Sequence, residues 1–527
     1  MVLTIGEPGW TDPHFSRSAA QDDLGIEALG GSLLRELVPG VVQNSINAGY
    51  YAYYPFLLQE FEREHPDENR RSEFRPFYRR QEAAFAAACS HHEHRDGLRG
   101  LNGVNESWDA FNAAKGTGAL DVAQLAAPKG YMKSSLGGYG LFYRPALEEI
   151  GVTRLGAGTA QVDRVTELGA QVAEAFRELI STTEYWQRYR TADVVPIPVL
   201  EELGSAVCPC SIPGRVDHLP IVEVLFGERS GSERWEQSRK YRVMSFGLLL
   251  EFQQLRPDGF AGVGAWRRAV LSGELAGKEW ETSFSRHREA WRAYQYRETL
   301  VVALGAVWCC FLERLGRYPA AYREDIQAEL IDELDWSELG LAPDDPYSAL
   351  IESSSDALDD PNDLIEAAEA VMLISDDNLS AAFTESIRLL AALAKTPSGD
   401  SDFEALLGRG GPGRLSFQHM SRWSQSRSHL PAVSVVAELV NMLVFRHQRV
   451  AVGKITPTDH RDPFCTAEDD DGRLQLIRGD EPFWTGARFD TLNHLLWTAG
   501  ALDAPGDDAR PTELGLELLA SVSAQDG

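Results

Sequence analysis

The chain has 527 residues, of which 43% are hydrophobic, an ordinary share for a protein that buries a core. Length alone predicts about two to four domains. A formal charge of −29 excludes indiscriminate nucleic-acid binding, so any such contact must come from local basic patches. Six cysteines in so long a chain do not make a disulfide framework. The N-terminus MVLTIGEPGW lacks the basic start and apolar core of a signal peptide. The longest apolar run, Leu300 to Leu312, has 13 residues and is too short to span a bilayer. The expectation is a cytoplasmic, reduced protein with no membrane contact.

Taken in order, residues 21–64 predict two helices broken at Pro39-Gly40. The second carries Tyr50, Tyr51, Tyr53, Tyr54 and Phe56, an aromatic cluster that reads as core. Next, Arg70, Arg71, Arg75, Arg79 and Arg80 are interleaved with Phe74, Phe77 and Tyr78. Guanidinium forks hold phosphates and rings stack bases, so this is a candidate nucleic-acid patch; a solvated helix face is the plainer reading. Cys89, His91, His92, Glu93 and His94 follow, with residue types that suit zinc. Adjacent positions on a helix point apart, so His91 with His94, or Cys89 with Glu93, could share a face. Either pair leaves the ligand set incomplete.

Residues 139–176 form the most informative stretch. A helix ends at Gly151, a polar turn-rich connection follows, and Thr166-Glu-Leu-Gly169 opens a second helix. The pattern recurs at the C-terminus, where Phe489 to Trp497 is helical, Gly500 ends it, and Thr512-Glu-Leu-Gly515 opens the last helix. Both copies have the outline of a winged helix-turn-helix module. In the first copy Arg144, Arg154 and Arg164 stand against Glu148, Glu149, Asp163, Glu167 and Glu174, which favours protein docking over phosphate contact. The C-terminal copy is the better DNA candidate, being nearer the basic stretch described below.

Residues 194–220 are rich in Pro and Gly and read as a linker. Within them, Cys208-Pro-Cys210 lacks a second Cys pair and reads as two free thiols in a loop. Residues 230–320 predict Trp-rich helices. From Glu324 to Asp377 there are 18 acids and no Lys or Arg, on a pattern that still predicts short helices. The balance then reverses. Arg409, Arg414, Arg422, Arg427, Arg446, Arg449 and Lys454 face one acid, Glu438. This stretch either contacts a phosphate backbone or pairs internally with residues 324–377. A helix from Val433 to Arg449 and a hairpin around the Asp-Gly turn at 471–472 complete the outline.

Lysine occurs only at 115, 129, 133, 240, 278, 395 and 454. None has an acid two positions before it, and none lies in G-K-[ST], so the usual nuclease signature and the phosphate-binding loop are both absent. Zinc-protease, nucleophile-elbow and protein-kinase motifs are absent as well. Gly408, Gly410 and Gly413 have dinucleotide-loop spacing but follow a helix-like segment instead of a strand.

The N-terminal third resembles uncharacterised bacterial proteins encoded in phage-defence islands beside helicases, nucleases or methyltransferases. The resemblance rests on Asp22, Leu24, Gly25, Leu37, Pro39, Gly40, Tyr50 to Pro55, Tyr139, Gly140, Leu147, Ile150, Gly151, Thr166 and Gly169. Where those relatives carry R-A-R before the aromatic helix, this chain has Asn47-Ala48-Gly49. The resemblance implies a multi-component system.

The expected fold is mainly α, a helical multi-domain protein with two winged-helix-like modules and small β-hairpins. Five stretches are expected: a helical domain over 1–130, the first module over 131–195, a linker and helical middle domain over 196–320, an acidic helical segment over 321–400, and the basic stretch with the second module over 401–527. The expected role is a non-catalytic subunit of an anti-phage or DNA-processing assembly, with other subunits and DNA as partners and no cofactor. A metal-dependent hydrolase or nuclease using His91, His92 and His94, and a pure protein scaffold, are the alternatives.

Overall fold

The computed structural model describes residues 22–90, 92, 102–158, 160–227, 232–375, 377–395, 401–408, 415–455, 463–484, 486 and 488–526; the candidates Arg409, Arg414, His91 and His94 lie outside them. The protein is mainly α, and its strands among the described residues are short two-stranded antiparallel pairs. No helix among these residues is long and apolar enough to cross a membrane.

The chain divides into two compact units. One comprises Leu34–Trp266, Glu281–His287 and Arg488–Gly527; the other comprises Met1–Leu33, Arg267–Trp280 and Arg288–Ala487. The five consecutive stretches read from sequence are therefore regrouped. Both copies of the Thr-Glu-Leu-Gly stretch fall in one unit, and the acidic and basic stretches fall in the other.

In the first unit the Tyr50–Glu64 helix is almost wholly buried, as its aromatic run predicts. It lies along the Glu167–Ser181 helix, with Tyr53 and Phe56 both against Phe176. Burying tyrosines obliges their hydroxyls to find partners. Glu82, on the Arg71–Ser90 helix and fully buried, accepts from Tyr54 at 2.6 Å, from Tyr131 at 2.5 Å and from the Gly138 amide at 3.2 Å. A Cβ on Gly137 would sit 1.9 Å from the Glu82 carboxylate, so only glycine admits this approach.

The same Arg71–Ser90 helix packs on the Ile197–Val207 helix. There a Cβ on Gly204 would lie 2.4 Å from the Ala88 carbonyl oxygen, so the glycine sets how closely the two backbones approach. The Pro- and Gly-rich stretch is thus no linker. Val194–Pro196 pairs with Ala119–Asp121, and Ile197–Val207 buries Val199, Leu200 and Leu203. Pro196 is the N-cap of that helix and Pro198 lies in its first turn, where a missing amide hydrogen bond costs nothing. Counting prolines without regard to position misread the segment.

In the second unit, the apolar run at 300–312 lies within the Ser285–Leu315 helix and is buried against Ile326, Leu330, Ile365, Ile387 and Leu439, among others. The acidic segment forms the short helices Arg323–Asp332, Tyr347–Ala357 and Pro361–Ala370, as its periodicity predicts. The predicted hairpin pairs Thr466–Glu468 with Leu474–Leu476, and Gly472 supplies a positive φ of 81° at the turn.

Candidate functional site

The duplicated stretch folds alike twice. In the first copy the Arg144–Ile150 helix stops at Gly151, whose φ is +86°; Thr153–Arg154 pairs with Arg164–Val165, and Glu167–Ser181 follows. In the second, Phe489–Thr498 is followed by Gly500 at φ +79°, a bridge joins Leu502 to Pro511, and Glu513–Asp526 follows. The Thr166 hydroxyl donates to Gly151 O at 2.7 Å and accepts from Gly169 N at 3.1 Å. Thr512 does the same with Gly500 O at 2.7 Å and Gly515 N at 3.2 Å. A Cβ on Gly169 would meet Val152 O at 2.1 Å, and one on Gly515 would meet Ala501 O at 2.1 Å.

What these copies offer a partner differs from expectation. The Phe489–Thr498 helix is buried except at Asp490 and Trp497, and neither it nor Glu513–Asp526 carries a Lys or Arg. The C-terminal copy therefore presents no cationic helix to a groove, although it is closer in sequence to the basic stretch. In the first copy Glu148 is held by Arg234 at 2.9 Å, and Glu149 accepts from Gly40 N at 2.8 Å. Asp163, almost fully buried, accepts two bonds from Arg144 at 2.6 and 2.9 Å and one from Tyr139 at 2.5 Å. Burial pushes the Asp163 carboxyl up, but these partners outweigh it and hold it below the usual range.

The arginines between 70 and 80 mostly serve the fold. Arg79 is buried and donates to the carbonyls of Ala126, Ala127, Met132 and Ser134. Arg71 donates to Gln161 O at 2.9 Å and lies 3.7 Å from Asp163. Arg80 bonds Ala192 O and Asp193, and Arg70 bonds Glu68. Arg75 alone of the five is exposed without such a bond on its guanidinium among the described residues. Phe74 and Tyr78 are buried and stack on each other at 5.4 Å, so they are not open to bases.

The basic stretch also divides. Arg446 is buried and donates to Leu24 O at 2.8 Å, and Lys454 donates to Asp22 O. Both are withdrawn from any phosphate contact. Arg427 pairs with Glu438, while Arg422 and Arg449 are exposed. Among the described residues the acidic segment draws its ion-pair partners from elsewhere: Arg268 takes Glu369, Arg314 takes Glu329 and Glu333, and Arg388 takes Glu338.

Two groups of side chains among the described residues have ligand or nucleophile chemistry. Asp23, His447 and Cys465 form the first, and all are buried. The spacing suggests a thiol nucleophile with an imidazole base, but the hydrogen bonds exclude it. His447 Nε2 accepts from the Cys465 amide at 3.0 Å, and Nδ1 faces Asp23 O at 3.2 Å. A carbonyl cannot donate, so Nδ1 carries the proton, and no lone pair remains for a base or a ligand. The Cys465 thiol instead donates to Asp23 at 3.1 Å, and burial followed by the Asp23 charge pushes its pKa up. This group ties the Asp-Asp-Leu-Gly segment into its unit.

His92, Cys208 and Cys210 form the second group. His92 Nδ1 lies 3.2 Å from Cys210 Sγ, Cys208 completes the group, and Cys89 interacts with Cys208 from outside it. Sequence reading pairs His91 with His94, or Cys89 with Glu93, instead of Cys89 with His92, and takes Cys208 and Cys210 as two free thiols; His91, Glu93 and His94 lie outside the described residues. The signal that could have joined the two segments was a shared residue chemistry, Cys-x-x-His in one segment and Cys-x-Cys in the other. Comparison with protein-family models, curated proteins and solved structures gives no match for this chain.

Proposed function

We propose that this chain is a non-catalytic subunit of a multi-component anti-phage or DNA-processing system and works by holding a partner protein. One observation carries the reading. The acids between 324 and 377 mostly face solvent, Glu324, Asp332, Glu333, Asp335, Glu338 and Asp344 among them. Such a surface repels nucleic acid and attracts a basic protein face, speeding encounter and selecting the partner by charge. The test is co-expression with the neighbouring gene products, followed by affinity isolation at low and high salt. A retained partner that is lost at high salt, and lost on replacing the exposed Asp332 and Asp344 by Asn, is the expected result. Retention of no neighbour at low salt overturns it.

A second reading, direct DNA contact, rests on the exposed Arg422 and Arg449. Replacing both by Ala should weaken retention of duplex DNA and flatten its salt dependence by about two units of log–log slope. If the wild-type protein retains no DNA at low salt, this reading fails and the first stands.

A further inference from the structure

We infer that Cys89, His92, Cys208 and Cys210 bind a single zinc ion that staples the end of one helix to the end of another. The four residues come from two segments that are far apart in sequence. Cys89 lies in the last turn of the Arg71–Ser90 helix, and His92 stands three positions on, its amide donating back to Cys89 O at 3.2 Å. Residues three apart on a helical path share a face. Cys208 caps the Ile197–Val207 helix, and Cys210 stands in the single turn Pro209–Ser211.

Three local features bring the segments together. The Ala88–Gly204 approach lets the two helices meet just before their ends. Gly49 packs on the Pro209 ring, where a Cβ would lie 3.2 Å away, and so seats the turn between the two thiols. Arg215 donates to Cys208 O at 2.9 Å and pairs with Asp217, which fixes the Cys208 carbonyl and leaves the thiol facing inward. The result places the ligand atoms of His92, Cys208 and Cys210 all within 4.8 Å of one another; the Cys89 thiol interacts with Cys208 but lies outside that group, and closing the set requires it to move onto the ion.

That separation is what a tetrahedral ion of about 2.3 Å bonds to sulfur and about 2.0 Å to nitrogen requires of its ligands. Three sulfurs and one imidazole are a standard structural zinc set, and four protein ligands leave no open position for water. The site would therefore be structural. Binding replaces three thiol protons by one Zn²⁺, with a neutral His92 ligating through Nδ1. Three thiolates and the ion leave a single negative charge, and the Arg215 guanidinium beside Cys208 O opposes it. The other Asp/His/Cys group cannot do this, because both nitrogens of His447 are already bound to backbone.

Metal analysis of the full chain, purified without chelator from zinc-supplemented cells, tests the inference. About one equivalent of zinc is expected. His92→Cys should keep the metal, whereas the Cys208→Ser, Cys210→Ser double variant should lose it. Should that double variant fail to fold, cobalt titration of metal-stripped wild-type protein replaces it. A thiolate-to-cobalt charge-transfer band that zinc abolishes supports the site. Absence of both zinc and the cobalt band overturns it, and so does a Cys208–Cys210 disulfide found by mass spectrometry in freshly prepared protein.

Discussion

Thr512 makes the same two hydrogen bonds as Thr166, each hydroxyl joining the carbonyl of a helix-stopping glycine to the amide of the glycine three residues later. The equivalence extends to the backbone, since Thr166 N donates to Val152 O and Thr512 N to Ala501 O, both at 3.0 Å. Two segments of one chain thus solve the same problem, turning from helix to helix through a short extended connection, with the same residues.

Loss of either hydroxyl should be felt equally. Thr166→Ala and Thr512→Ala are each expected to lower stability by about 1–2 kcal/mol, the usual loss for an N-cap, while the Ser variants stay near wild type. Gly169→Ala and Gly515→Ala should cost at least as much, about 1–3 kcal/mol, because the new methyl meets a backbone oxygen that cannot rotate away. Chemical denaturation of the four alanine variants measures this. A silent Thr512→Ala beside a damaging Thr166→Ala would show that the copies are not equivalent.

The fully buried carboxylate of Glu82 accepts from two tyrosine hydroxyls and the Gly138 amide. Burial pushes its pKa up, against the tyrosine hydroxyls of Tyr131, Tyr54 and Tyr78 that pull it down. Glu82→Ala strands these donors and the Gly138 amide, with an expected cost of about 3–5 kcal/mol. Glu82→Gln keeps one acceptor oxygen and should lose less. Thermal melts of the two variants decide the order, and equal losses would show that packing volume matters more than the hydrogen bonds.

A pH effect is expected at Asp480. Burial, and then the neighbouring Asp23 charge, pushes this carboxyl up to about 7. Asp23 itself is held low: its burial is outweighed by the Arg478 hydrogen bond at 2.6 Å and by the Cys465 thiol. A carboxyl with a raised folded pKa favours the folded state below its unfolded value of 3.8, and that benefit disappears as pH rises through about 7. Asp480→Asn should therefore raise the melting temperature most above pH 7, with the gain shrinking as pH falls toward 4. A gain that does not change with pH would mean that Asp480 is not the titrating group.

The arginines separate by what they hold. Arg79→Ala leaves four backbone carbonyls without their donor and should destabilise by about 2–4 kcal/mol at any salt concentration. Arg422→Ala should leave stability within about 0.5 kcal/mol of wild type, as exposed surface changes do. Denaturation midpoints for the pair check this. A large stability loss in Arg422→Ala would assign it to the fold and remove it as a phosphate contact.

Sequence determined the local features of this protein. The buried tyrosine run, the apolar helix at 300–312, the short acidic helices, the Asp-Gly hairpin and the twofold Thr-x-Leu-Gly pattern all follow from periodicity, capping and turn chemistry within a few residues. Tertiary structure decided which charges and thiols are spent. Arg79 and Arg446 read as cationic surface, and only their burial against distant carbonyls shows them to be internal donors. Cys89-x-x-His92 and Cys208-x-Cys210 each look incomplete along the chain, because a metal site is defined by distances across it. What joins them is the Ala88–Gly204 helix crossing, a contact between residues more than a hundred positions apart that no local pattern encodes.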